Sequence, residues 1–236
     1  MKKLLSVSIA TLALAAVADY SPITVGVTAI STTSKNTIVA VPYSAIGTTD
    51  PIAPKDLVKA ANLPEGTMLY VFNGTLYYAW RQAGNGAWEV PDTVSTDTNK
   101  VSGVSVTTTA ESVTLNKGSA LWVVLPKADT YSATIYVYGE GSSPATTSTV
   151  SAGNSLVANP LQSPASFTVS GAMVGDIITI PNDSGDPTLY RYNGTTWRTF
   201  GPGVSPADAT LSIGAGHGFW YSAIGSSVTI NWTAEI

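Results

Sequence analysis

Two stretches of this chain are near copies, and each is built around Asn-Gly. LYVFNGTLYYAW begins at Leu69 and LYRYNGTTWRTF at Leu189, with Leu, Tyr, Asn, Gly and Thr coinciding. Asn-Gly between alternating apolar residues signals a β-hairpin, because a type I′ turn needs positive φ at both central residues. Folding about Asn73-Gly74 sets Tyr70 against Tyr77, and folding about Asn193-Gly194 sets Tyr190 against Trp197. One face is then aromatic in both copies and is expected to be core, each cross-strand aromatic pair adding about 0.2–1 kcal/mol. The other face of the second copy carries Arg191, Thr196 and Arg198, which water can cover. In the first copy it carries Leu69, Val71, Leu76 and Tyr78, and something must cover it: the other half of the chain, a loop or another molecule.

Elsewhere the pattern is of period two. Short runs of Val, Ile, Thr, Tyr and Trp are broken by Gly, Pro, Asn and Ser, which marks an all-β chain. Ile23, Val25, Val27 and Ala29 alternate with Thr24, Gly26 and Thr28 as a half-buried strand. Further strands are expected at 38–41, 121–125, 134–138, 177–180, 219–221 and 228–232. One short helix is expected from Pro54 to about Ala61, with Pro in its first turn and Asn62 and Pro64 at its end.

The repetition extends beyond the hairpins. NTIVAVP at Asn36 matches NSLVANP at Asn154, and TLNKGSALWV at Thr114 matches TLSIGAGHGFWY at Thr210. The order is kept in both halves, so the fold expected is two tandem homologous antiparallel β-sandwich or jelly-roll-like domains, 19–138 and 150–236, with a small-residue linker at 139–149. In this alignment Tyr77 matches Trp197, Trp80 matches Phe200 and Trp122 matches Trp220, while Trp88 has no partner. N-x-(apolar)-P, then YNGTxW, then a Gly-rich turn into FWY resembles tandem β repeats of secreted verrucomicrobial and planctomycetal surface proteins. The resemblance implies a secreted bacterial surface protein and brings with it no catalytic or binding residue.

Residues 1–18 read as a secretory signal peptide. Lys2 and Lys3 precede an apolar, small-residue run, and Ala16-Val17-Ala18 fits the cleavage pattern ahead of Asp19. The run is short for a membrane span. The mature chain is therefore expected outside the cell or on its surface, with no membrane span. Without Lys2 and Lys3, nine basic residues face fifteen acidic ones. Such a balance argues against a nucleic-acid partner, whose affinity rests on neutralised phosphates. Charged residues make up only 11% of the chain, which suits a protein that buries surface against its own copies.

Chemistry has little to work with. There is no Cys and a single His, so thiol catalysis and zinc sites find no ligands, and no metal or cofactor is expected. His217 in GAGHGFWY matches Ser119 in the first half, and no G-x-S-x-G elbow accompanies it, so no catalytic residue is assigned. Asn182 to Asp186 lacks the spacing of a calcium loop and reads as a turn. The leading expectation is a non-enzymatic secreted structural protein whose partners are copies of itself, assembling as a filament or surface layer by exchange of the first strand. Its interface would comprise Ile23, Val25, Val27 and Ala29 with Leu69, Val71, Leu76 and Tyr78. The alternative is a glycan-binding or adhesive module with Trp88, Tyr78 and Trp80 as the platform.

Overall fold

The computed structural model describes residues 25–32, 36–41, 43, 53–59, 63–72, 77–90, 106–107, 113–115, 118–126, 133–140, 147–182 and 186–235. Among the described residues the chain is all-β apart from one turn of helix, as the period-two pattern requires. The first half contributes β1 (Val25–Thr32), β2 (Asn36–Ala40), α1 (Pro54–Leu57), β3 (Met68–Phe72), β4 (Tyr77–Gln82), β5 (Trp88–Glu89), β6 (Val106–Thr107), β7 (Ala120–Val124) and β8 (Ala133–Glu140). The second contributes β9 (Thr147–Val150), β10 (Gly153–Ala158), β11 (Ala165–Ser170), β12 (Ile177–Ile180), β13 (Thr188–Tyr192), β14 (Trp197–Thr199), β15 (Ser212–Ile213), β16 (Gly218–Ala223) and β17 (Val228–Ala234). β8 and β9 reach into the 139–149 stretch from both sides. No helix of the described residues is long and apolar enough to cross a membrane.

Each half is two sheets packed over their own core. In the second, a five-stranded sheet β10-β16-β12-β13-β14 lies against a four-stranded sheet β15-β11-β17-β9. Ile178, Trp197, Phe219 and Tyr221 of the first sheet meet Phe167, Ile230 and Trp232 of the other. In the first half a sheet ordered β2-β7-β3-β4-β5, with β6 parallel on β4, faces the two-stranded ribbon β1-β8. Val39, Leu69, Trp80, Leu121 and Val123 there meet Ile30, Ile135 and Val137. A fully buried side chain of this size contributes about 1.5–3 kcal/mol. Where β11 lies beside β17, the described residues of the first half have a single bridge, Val58 to Val137 on β8. That bridge is why the helix stops at Leu57 and not near Ala61: Val58 is already extended, at φ −119 and ψ 119.

The hairpins form, but their turns centre one residue later than Asn-Gly predicts. Tyr192 pairs with Trp197 and Tyr190 with Thr199; Phe72 pairs with Tyr77 and Tyr70 with Ala79. The cause is the Asn193 side chain. Its Oδ1 accepts from Thr195 N at 2.9 Å and Thr196 N at 2.8 Å, so Asn193 closes the turn and Gly194, at φ 105, enters it. Each partner moves by two residues, which leaves side chains on their original faces.

The larger correction concerns which strands are equivalent. Gly66 N donates to Gln82 O and Gln82 N to Thr67 O, at 3.0 and 2.9 Å. Gly175 N donates to Tyr192 O and Tyr192 N to Asp176 O, at 2.9 and 3.0 Å. β3 therefore corresponds to β12, β4 to β13 and β5 to β14, the same order in both sheets. Trp88, opposite Gln82, takes the place of Trp197, opposite Tyr192. Trp80 takes the place of Tyr190, so of the aromatic matches in the sequence alignment only Trp122 with Trp220 survives, while the matches of Asn36 with Asn154 and of Ser119 with His217 hold. The near-copies beginning at Leu69 and Leu189 are thus displaced by one strand.

This displacement explains why the aromatic face is core in the second hairpin and not in the first. Leu69, Val71 and Trp80 point into the first core. Met68, Tyr70 and Ala79 join Ile38, Ala40, Trp122 and Val124 on the outer face, where Leu156, Ala158 and Trp220 of the second half cover them. The equivalent tryptophans Trp122 and Trp220 meet edge to face at 5.7 Å, and Phe72 meets Trp220 at 5.3 Å. The backbone also crosses this seam. Ala40 N donates to Gly216 O at 2.7 Å, and Val39 bridges His217. Gly216, at φ 74, leaves no room for a side chain: a Cβ would lie 2.6 Å from Thr28 Cγ2 and 2.9 Å from Ile30 Cγ1.

Candidate functional site

The residues expected to form an assembly surface divide into three groups. Ile23 and Leu76 lie outside the described residues. Leu69 and Val71 belong to the first core and offer no surface. β1 does offer one, but its faces are reversed from the expectation. Ile30 and Thr32 are buried and Thr28 is half-buried, whereas Val27 is 61% exposed and Ala29 is exposed. The parity is set by Ile30 in the core and by the hydrogen bond, 2.8 Å long, between the Thr28 and Tyr43 hydroxyls.

β1 pairs with β8 over its full length, from Val25 opposite Glu140 to Thr32 opposite Ala133. Among the described residues no strand pairs with its other edge. The strand VGVTAIST carries no charge and no Pro, the usual devices that blunt an edge. Ala29 faces Tyr136, itself 40% exposed, so Val27, Ala29 and Tyr136 make an apolar outer strip on the ribbon. Val25 and Tyr78 are placed in β1 and β4 by their backbones.

The aromatic platform is not assembled. Trp80 is fully buried in the first core. Trp88 is half-buried against the same core, and its indole N–H donates to Val58 O at 2.7 Å. It anchors β5 to the residue that ends α1, which is the packing role of Trp197 with an added tether.

His217 sits at the seam between the halves. Its carbonyl accepts from Asn159 N at 3.0 Å, as Ser119 O accepts from Val41 N at 3.0 Å in the first half. The half-buried ring packs over Gly214 and borders a cavity of about 320 Å³ with Asn36, Asn182 and Glu235. Asn159 beside it is fully buried: Nδ2 donates to Ser163 O at 2.9 Å and Gly214 O at 3.2 Å, and Oδ1 accepts from Leu161 N at 2.9 Å. In the loop from Asn182 to Asp186, residues 183–185 lie outside the described ones. Among the described residues no three acidic or histidine side chains gather as a metal site.

Sequence reasoning missed a buried carboxylate with three hydrogen-bond donors. Asp176, only 1% exposed, opens β12 in the place of Thr67. Its Oδ2 accepts from Met173 N at 3.1 Å and from the Tyr221 hydroxyl at 2.8 Å, and its Oδ1 accepts from Ile224 N at 2.8 Å. The one available signal was Gly175-Asp176 ahead of an apolar strand, a charge where the repeat has Thr.

Burial raises the Tyr221 pKa well above the ordinary tyrosine value of 10.0, and the hydrogen bond to Asp176 and its charge raise it further. Tyr190 is raised too, by burial. Both phenols hold their protons more tightly folded than unfolded, so their contribution is complete below about pH 10 and is lost as pH climbs beyond it. Stability is expected to fall above that pH by up to about 1.4 kcal/mol per pH unit through Tyr221. Phenolate absorbance of Tyr221, isolated by difference from Tyr221→Phe, should appear only with unfolding. Its titration near pH 10 in the folded protein would contradict this.

No protein-family model matches this chain, and no curated protein or solved structure is detectably similar to it.

Proposed function

We propose that this chain is a non-enzymatic, secreted structural subunit that assembles with copies of itself through β1. The observation that carries the reading is the long, uncharged edge of β1 from Val25 to Ser31, with which no strand of the described residues pairs, in a ribbon that has two strands among those residues. A two-stranded ribbon is marginal by itself and gains from a further strand. If β1 instead moves to the β8 of a neighbour, all eight ladder pairs of the donor are remade with the same residues. Such an exchange is head to tail and need not close, so it builds a fibre. The thinly charged surface and the signal-like first residues agree with this role.

Light scattering after size exclusion, with electron microscopy of the same fractions, tests the reading. Concentration-dependent regular polymers are expected. Removing residues 19–35, and with them the whole of β1, should abolish them and leave soluble monomers whose second half keeps its fold. A stable monomer at every concentration would remove the proposal.

A further inference from the structure

The two halves differ in charge at one matched pair of sheet positions. In the first, Arg81 faces Glu89 across β4 and β5 and the two approach to 3.9 Å. In the second, Arg191 faces Arg198 across β13 and β14. Like charges directly opposite each other on a hairpin repel. Asp208 relieves only one of them: its Oδ1 lies 2.9 Å from Arg198 Nε and accepts from the Thr196 hydroxyl at 3.1 Å. Arg191 has no acidic partner among the described residues, and its guanidinium lies 4.5 Å over the Phe200 ring. Asp176, next in chain to the Ile177 that faces Arg191, is already occupied by its three donors.

Both arginines line an open cleft of about 620 Å³, within the range of small-molecule sites. Beside the arginines one wall is aliphatic. Val174 and Ile224, 68% and 67% exposed, lie beside Ile177 and Pro206. The Val174 and Ile224 side chains rest against Gly194 and Gly175, where a Cβ would lie 3.2 Å from Val174 Cγ2 and 2.5 Å from Ile224 Cδ1. Exposed apolar residues gathered around an unneutralised cation are a recognition feature, not ordinary surface scatter.

We propose that this cleft binds an aliphatic carboxylate, with the anion held by Arg191 and Arg198 and the chain lying along Val174, Ile177 and Ile224. Charge selects the head group: guanidinium N–H groups match a carboxylate in bidentate fashion. The walls select the tail. The guanidinium already covers the Phe200 ring and Tyr192 packs on Trp197, so aliphatic surface is what remains for a ligand.

Calorimetric titration of the full chain with sodium octanoate, below its micelle concentration, should reveal one site. Arg191→Gln should weaken binding at least about tenfold, and Ile224→Ser should weaken it while leaving the circular dichroism unchanged. 1-Octanol and inorganic phosphate, each supplying half of the ligand, should bind far more weakly. The proposal fails if octanoate does not bind at about millimolar concentration. It fails also if octanol or phosphate binds equally well, or if Arg191→Gln changes nothing. Loss of self-association in Arg191→Glu without octanoate binding would assign the cleft to a second copy and overturn the proposal.

Discussion

Asp176→Ala is expected to destabilise the protein by about 2–4 kcal/mol, because the buried Tyr221 hydroxyl left without an acceptor costs about 1–3 kcal/mol and the two part-buried backbone donors, which water can reach, cost less. Three donors lose their partner at once: Met173 N, Ile224 N and the Tyr221 hydroxyl. They come from the turn before β12, the end of β16 and the core, so the carboxylate ties a loop to the sheet from inside. Asp176→Asn keeps one acceptor oxygen and should lose roughly half as much. Tyr221→Phe removes a single donor and should lose least, about 1 kcal/mol. Urea denaturation of the three variants checks the order. If Asp176→Ala comes within about 1 kcal/mol of the wild type, the network is not what holds this turn.

Trp122→Ala should cost about 3–5 kcal/mol and divide unfolding into two steps. Trp122 is 9% exposed and belongs to the cluster that joins the halves, not to either core. Its ring meets Tyr70 at 5.4 Å and Trp220 at 5.7 Å, contacts worth about 0.5–1.5 kcal/mol each beyond the area they bury. The neighbouring Leu121 and Val123 point the other way, into the first core, and are untouched by the change. The loss therefore falls on the coupling between halves. Urea unfolding followed by circular dichroism and by tryptophan fluorescence should give coincident curves for the wild type and separated ones for the variant. A single coincident transition in Trp122→Ala would show that the remaining seam, Ala40 N to Gly216 O and the bridge of Val39 to His217, couples the halves without the indole.

Strands at Ile177–Ile180, Ala120–Val124 and Val228–Ala234 were legible because alternation and β-branched residues act within a few residues of chain. The hairpins were legible for the same reason, as was the match of Trp122 with Trp220. The turn centre was not: Asn193 competes for the backbone N–H groups with its own side chain, and the residue type alone does not say which use prevails. Equivalence along the repeat was misread because LYVF and LYRY look alike while occupying neighbouring positions in their sheets. Trp88, unmatched in sequence, proved to be the counterpart of Trp197, half-buried against the first core with its indole N–H held by Val58 O.

By itself the sequence determined that the chain is made of short strands joined by Gly and Asn turns, and roughly where each strand runs. These are local consequences of sterics and backbone hydrogen bonding. Only the tertiary structure decided which face of β1 and of the β3–β4 hairpin is inside. The β3–β4 hairpin is apolar on both sides, and β1 presents Thr28, Ile30 and Thr32 inward against the expectation from Val25, Val27 and Ala29. A face is buried by what lies across from it, and for the first sheet that is the second half of the same chain, Leu156, Ala158 and Trp220. Two apolar faces are equivalent in one dimension; contact with a distant segment makes one a core and the other a seam.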